Sequence, residues 1–381
     1  MEGMRAIERL QEIGLRRAGT PRTGFRWVRP DGRPAAAEDA ERARRLALPP
    51  AWTDVRVSPV AGAKLQAIGR DRAGRWQYRY HPEFMRRRSG AKYRRLLRFA
   101  AALPRIRARV TRDLRRRGLG RERVLAAMVR ILATCPMRPG SEAYAREHGS
   151  YGLTTVRPRH VRVQGDRLVF DYRGKSGKRQ VRELEDAPVA RLVRTLLRVP
   201  GRDVFKFEEE GEVVDVRRRH LNAYLREAAG APFTAKDFRT WAGTVLCASE
   251  LARREREIVP GRTSRRQLEV AAVKVVAGRL GNTPSVARAS YVSPAVLQAF
   301  GRGKVIGCCY APDEVGVAVT RGLHRVEAAL VRLLREEEAP APRAGAAPAS
   351  RVGGAPIARP AGRPGFAARD RIRAAARAPA P

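Results

Sequence analysis

The hydrophobic period changes along the chain, and the changes predict its organisation. Ile7, Leu10, Ile13 and Leu15 open residues 1–20 with a helical pattern. Strand-like pieces follow at Gly24–Val28, Asp54–Val57, Lys64–Ile68 and Trp76–Tyr80. Turn signals separate them, such as Pro30-Asp31-Gly32 and Arg72-Ala73-Gly74. This β-rich stretch ends near residue 85, and Arg86-Arg87-Arg88-Ser89-Gly90 reads as a hinge. From residue 91 the period becomes 3.6, predicting helices over 91–102, 105–118 and 121–134 with arginines on the outer faces. Residues 159–184 read as a three-stranded meander. Its strands are His160–Val163, Leu168–Tyr172 and Arg179–Arg182, and its turns are Gln164-Gly165-Asp166 and Arg173–Gly177. Helices dominate again from 187 to about 338. Beyond Glu338, Ala, Pro, Gly and Arg take over with little apolar bulk, which predicts a disordered tail. The fold class expected is α+β: a small N-terminal β-rich lobe (1–88), a larger, mainly α-helical lobe containing the β-meander (89–338), and a basic tail (339–381).

Charge changes the picture more than composition does. The chain has 381 residues, 43% of them hydrophobic, enough for sizeable cores. Lys and Arg number 79 against 38 Asp and Glu, a formal net charge of +41. Self-repulsion on that scale points to a polyanionic partner, and nucleic acid is the natural one. The tail does not account for the charge. Residues 339–381 hold eight Arg and one Asp, a net +7, which leaves +34 on residues 1–338. No stretch approaches the roughly 18–20 apolar residues of a membrane span, and the N-terminus carries no apolar core of a signal peptide. Cys135, Cys247, Cys308 and Cys309 show no CxxC spacing, so a reducing compartment without structural zinc is expected. Nor is there an HxxxH, HExxH or paired-Asp motif to imply a catalytic metal. Gly174-Lys175-Ser176 ends like a phosphate-binding loop, but Val169 stands where the first glycine belongs and a hairpin replaces the strand-to-helix context, so no nucleotide site is expected. The acidic runs Glu208–Glu210 and Glu336–Glu338 read as solvated surface.

The candidate chemistry lies in short motifs. Tyr291 closes Leu280-Gly281-Asn282-Thr283-Pro284-Ser285-Val286-Ala287-Arg288-Ala289-Ser290-Tyr291, in which Thr283-Pro284 opens a helix and Ser293-Pro294 breaks it. Upstream lie Arg138 in Arg138-Pro139-Gly140-Ser141-Glu142-Ala143-Tyr144, Lys175 and Lys178 in the second meander turn, and Arg239 in Lys236-Asp237-Phe238-Arg239-Thr240-Trp241-Ala242-Gly243-Thr244. Only 8 of the 79 cations are lysine, yet Lys175, Lys178 and Lys236 all fall in these motifs. Arginine clamps phosphate with a planar fork and keeps its charge; lysine can surrender a proton when neighbouring cations lower its pKa.

This order of Arg, Lys, Arg, polar amide and Tyr resembles the active site of type IB DNA topoisomerases, in the small form of poxviruses and bacteria. The resemblance covers roughly residues 20–310. It implies that the larger lobe is catalytic, that the smaller one clamps DNA with it, and that Tyr291 is the nucleophile. Arg138 and Arg239 would clamp the scissile phosphate, and Lys175 would protonate the leaving 5′ oxygen. Asn282, where poxviral relatives carry histidine, would donate to a non-bridging oxygen; its alternative is to cap the following helix. Lys236, Lys178 and Arg288 would be secondary phosphate or DNA contacts. Pro139 departs from the family pattern, in which a branched apolar residue follows the first arginine. The family implies a monomer working on double-stranded DNA in the bacterial cytoplasm, at the nucleoid, with no cofactor, metal or membrane. Tyrosine recombinases share the chemistry, but they usually carry HxxR where this chain has Lys236 before Arg239. A non-catalytic architectural DNA binder would explain the charge and none of the motifs.

Overall fold

A computed structural model describes residues 2–259, 264–310 and 322–338. The expected tail, 339–381, lies outside the described residues. The N-terminal lobe opens with α1 (Glu2–Ile13), which stops at Gly14, so that Leu15 of the helical pattern falls outside it. There the chain enters β1 (Leu15–Thr20), with Leu15 buried beneath the sheet. β2 (Gly24–Val28), β3 (Thr53–Val57), β4 (Leu65–Arg70) and β5 (Trp76–Tyr80) complete a five-stranded antiparallel sheet in the order β2-β1-β3-β4-β5. A second helix that the apolar pattern did not announce, α2 (Ala37–Arg45), covers it. Its Ala43 joins Leu15, Trp27, Val55, Val57 and Ala67 in a small core of their own.

The hinge expected at residues 86–90 is instead part of one long helix, α3 (Pro82–Leu114). His81 caps it by accepting from Glu83 N at 3.2 Å, and Pro82 occupies the first turn, where a missing N–H costs nothing. Gly90 and Pro104 are tolerated because the helix is held from one side. Leu96, Phe99, Leu103, Ile106 and Val110, spaced three and four apart, form a continuous buried stripe across Pro104. The expected boundary at 88/89 therefore falls inside α3.

α4 (Arg121–Thr134) packs against α3 with nearly every apolar side chain buried. α5 (Glu142–His148) follows, then the meander β6 (Val161–Gln164), β7 (Arg167–Arg173) and β8 (Arg179–Glu185) in sequential antiparallel order. Asp186 caps α6 (Ala187–Leu196), accepting from Val189 N at 3.1 Å. A hairpin that the helical reading of 187–338 missed comes next: β9 (Lys206–Glu209) and β10 (Glu212–Asp215). Its turn residues Glu210 and Gly211 both have positive φ, the conformation of a tight hairpin turn, and Glu208–Glu210 are exposed. The rest is helical: α7 (Arg218–Ala229), α8 (Ala235–Glu255), α9 (Arg265–Leu280), α10 (Pro284–Tyr291), α11 (Pro294–Gly301) and α12 (Arg325–Glu338). These elements share one large core around α8. Among the described residues, no helix is long and apolar enough to cross a membrane.

Candidate active site

Four connections converge on one cleft of about 520 Å³ lined by Arg138, Lys175, Lys236, Arg239 and Tyr291. The first is the extended segment after α4. Leu153 N donates to Arg138 O at 2.9 Å and Thr154 N to Pro139 O at 2.7 Å, so the backbone at Arg138 is fixed against the following loop. Its guanidinium Nη2 donates to Gly281 O at 3.2 Å and to Asn282 Oδ1.

The second is the start of α8. Asp237, in the first turn, accepts from Thr234 N at 2.8 Å and from Arg95 of α3 through both carboxylate oxygens, at 2.7 and 2.8 Å. That locks the N-terminus of α8 to α3. Lys236 and Arg239, three residues apart, then share one face. Arg239 is almost fully buried, 2% exposed. Its Nη1 donates to Pro136 O and its Nη2 to Leu280 O at 2.9 Å, while Nε has no partner. Burial lowers the pKa of Arg239, opposed by Tyr291; the ordinary value is high enough that the group stays charged.

The third is the α9–α10 junction. Gly281 ends α9 in a left-handed conformation, φ +62°, from which the chain turns directly into Asn282. Asn282 does not cap α10. Thr283 does, accepting from Val286 N at 3.4 Å. Asn282 Oδ1 instead accepts from Arg138, and its Nδ2 is buried without a partner. Tyr291 is the last residue of α10. The Arg239 guanidinium carbon lies 5.0 Å from the centre of its ring. Thr244 Oγ1 of α8 donates to Tyr291 O at 3.1 Å, and Gly243 lets that backbone approach, since a Cβ there would sit 2.8 Å from Tyr291 O. Burial pushes the phenol's pKa up, but the charge of Arg239, supported by Arg138 and Lys236, outweighs it and holds the phenol below the usual tyrosine value.

The fourth is the tight turn Lys175–Gly177 between β7 and β8, which carries an exposed Lys175 at the rim. Lys178 is exposed beyond the turn and does not line the cleft. Arg288 also lies outside the lining of the cleft, paired with Glu269 of α9. Three further residues do line the cleft. Tyr144, six residues after Arg138, is half exposed on α5. Arg218 and Asn222, four apart on α7, face it from the other side. Asn222 Oδ1 also accepts from Ala235 N at 3.1 Å, tying α7 to the start of α8. Tyr144 could have been found from its place in the Arg138 motif; Arg218 and Asn222 had no local signal. Among the described residues, no group of three or more His, Cys, Asp or Glu side chains gathers as a metal ion would need.

The arrangement can hold an anion against an oxygen nucleophile of lowered pKa, with the amine of Lys175 at the rim. Comparison with known proteins gives the family. Residues 82–300 match the model of the eukaryotic DNA topoisomerase I catalytic core, and residues 24–71 match the bacterial DNA topoisomerase IB N-terminal domain. A DNA topoisomerase 1B of Acanthamoeba polyphaga mimivirus is 31% identical over 269 residues, covering 69% of this chain and 80% of the viral protein. DNA topoisomerase 1B of Vaccinia virus (strain Copenhagen) is 22% identical over 238 residues, covering 62% of this chain and 72% of that protein. With the core model spanning more than half of its length, the chain belongs to the type IB DNA topoisomerases.

Proposed function

We propose that this topoisomerase relaxes supercoiled duplex DNA without nucleotide or metal, through a 3′-phosphotyrosyl link to Tyr291. The Tyr291 phenol loses its proton to solvent, and the phenolate oxygen attacks the scissile phosphorus. The bond to the 5′ oxygen breaks, and Lys175 supplies that oxygen with a proton. Arg138 and Arg239 stabilise the extra negative charge of the pentacoordinate transition state, Asn282 Nδ2 donates to a non-bridging oxygen, and Lys236 adds positive charge beside the phosphate. The cut strand turns about the intact one. The 5′ hydroxyl then returns its proton to Lys175, attacks the phosphotyrosine and expels the phenolate, so no external energy source is needed. The chain works as a monomer, its two lobes on either side of the duplex, and in a bacterial cell it would act at the nucleoid.

The observation that carries this reading is the pairing of Arg239 with Tyr291. A buried guanidinium, anchored by two backbone carbonyls, lies against the Tyr291 phenol, whose pKa is held down by cations. Arg239 Nε and Asn282 Nδ2 are buried N–H groups without partners in the same constellation, donors for an incoming phosphate oxygen. The test is relaxation of positively and negatively supercoiled plasmid in excess EDTA without ATP. Both should relax, while Tyr291→Phe binds DNA and forms no covalent adduct. A strict need for Mg²⁺ or ATP, or an adduct formed by Tyr291→Phe, would overturn the proposal.

A further inference from the structure

Lys175 and Asn282 come from different parts of the fold, yet one buried side chain touches the backbone beside each. Gln180 lies on β8 opposite Tyr172 of β7 and is 7% exposed. A Cβ placed on Gly174, the residue before Lys175, would sit 2.8 Å from Gln180 Cγ. A Cβ placed on Gly281, the residue before Asn282, would collide with Gln180 Oε1 and sit 3.0 Å from both Cδ and Nε2. The glutamine is therefore packed between the two glycines that precede two site residues. Its amide is fixed at both ends: Oε1 accepts from Arg182 Nη2 at 2.8 Å, and Nε2 donates to Arg179 O at 3.1 Å.

The two sides of this contact are not equally supported. Asn282 has its own anchors, its N–H on Ala277 O at 2.9 Å and its Oδ1 on Arg138. The Lys175 turn is exposed and closes on itself, with Gly174 N on Lys178 O at 2.8 Å and Gly177 N on Gly174 O at 3.1 Å. Beyond that closure, Ser150 Oγ donates to Gly174 O at 3.2 Å. Loss of the glutamine side chain would leave Asn282 in place and let the turn settle inward. We infer that Gln180 is a positioning residue for Lys175, the spacer that sets the distance of the Lys175 turn from the Arg138–Asn282 pair. The inference rests on the proposed place of Lys175 in the reaction.

The test is a double-mutant cycle on single-turnover cleavage, read with ordinary DNA and with DNA whose leaving 5′ oxygen is sulfur, which needs no protonation. Gln180→Ala should slow cleavage of ordinary DNA by about 10- to 100-fold, the scale of an ångström-sized misplacement of a reacting group. It should cleave the sulfur substrate near the wild-type rate and bind DNA normally. Gln180→Met, which fills the same space without the amide, should keep most of the activity. In a Lys175→Ala background, Gln180→Ala should add no further slowing. Should Gln180→Ala fold poorly, Gln180→Asn, one methylene shorter, carries the same comparison with a smaller loss. Wild-type rates in the shortened variants would overturn the inference. So would a loss that persists in full on top of Lys175→Ala, which would place the effect on the Arg138–Asn282 side. If Lys175→Ala itself gains nothing from the sulfur substrate, Lys175 is not the acid; the presence or absence of additivity still decides whether Gln180 acts through it.

Discussion

At the residue scale, the site depends on cations set against one phenol. Burial alone would raise the pKa of Tyr291, and Arg239, Arg138 and Lys236 reverse its sign. This can be measured in the free protein as the phenolate absorbance of wild type minus that of Tyr291→Phe. The midpoint should lie below the usual tyrosine value of about 10. Arg239→Ala removes the nearest charge and leaves the burial, so the midpoint should move up. Single-turnover cleavage should rise with pH as the phenolate forms and level off above the midpoint, with the rise displaced to higher pH in Arg239→Ala. A midpoint unmoved by that substitution would mean that Arg239 does not set the nucleophile's acidity.

Much of the site was legible at this scale because its motifs are local. The Thr283-Pro284 start fixes the phase of α10 and so the place of Tyr291 at its end. Lys236 and Arg239 meet because three residues make nearly one helical turn. The sequence left Asn282 between capping and donation; the cap is Thr283, which leaves the amide of Asn282 for Arg138. Arg288 shares the Tyr291 motif but projects to Glu269, because position along a short helix does not tell which neighbour will claim a side chain. Arg218, Asn222 and Gln180 reach their places only through packing between elements, so nothing in their immediate sequence marks them.

At the element scale, the errors share a cause. Gly90 and Pro104 are helix breakers by local propensity, whereas the buried stripe from Leu96 to Val110 decides the matter. A Gly costs about 1 kcal/mol in a helix and a Pro about 3; burying each large apolar side chain returns about 1.5–3 kcal/mol. The β9–β10 hairpin is short and lies among helices, so its Glu210-Gly211 turn was its one local sign. Glu327 shows how far α8 depends on distant elements. This carboxylate on α12 is fully buried, accepts from both Arg107 terminal nitrogens at 2.9 Å and from Trp241 Nε1 of α8 at 2.7 Å, and so joins α3, α8 and α12. Glu327→Ala leaves Arg107 buried and unpaired and should lower the unfolding free energy by about 3–5 kcal/mol. Replacing both partners, with Arg107→Met and Glu327→Leu, should cost less than the single change. Denaturant unfolding of the three variants checks this, and a double variant less stable than Glu327→Ala would contradict it.

At the scale of the whole molecule, charge was readable before any fold, and its distribution makes a prediction about binding. Residues 1–338 carry +34 and include the cleft cations Arg138, Lys175, Arg218, Lys236 and Arg239, whereas 339–381 add +7. Affinity for duplex DNA should therefore fall steeply with salt. If six to ten phosphates are neutralised, the slope of log affinity against log salt should be about −5 to −9. Truncation after Glu338 should make that slope shallower and shorten each encounter with DNA as salt rises. It should leave single-turnover cleavage near normal at low salt, because the cations beside Tyr291 remain. Binding titrations and cleavage time courses on the full and truncated chains, across a series of salt concentrations, separate the two effects. A truncated chain that binds duplex DNA yet cannot cleave it would show that residues beyond 338 help to build the active site, and that the charge of the tail is not its main contribution.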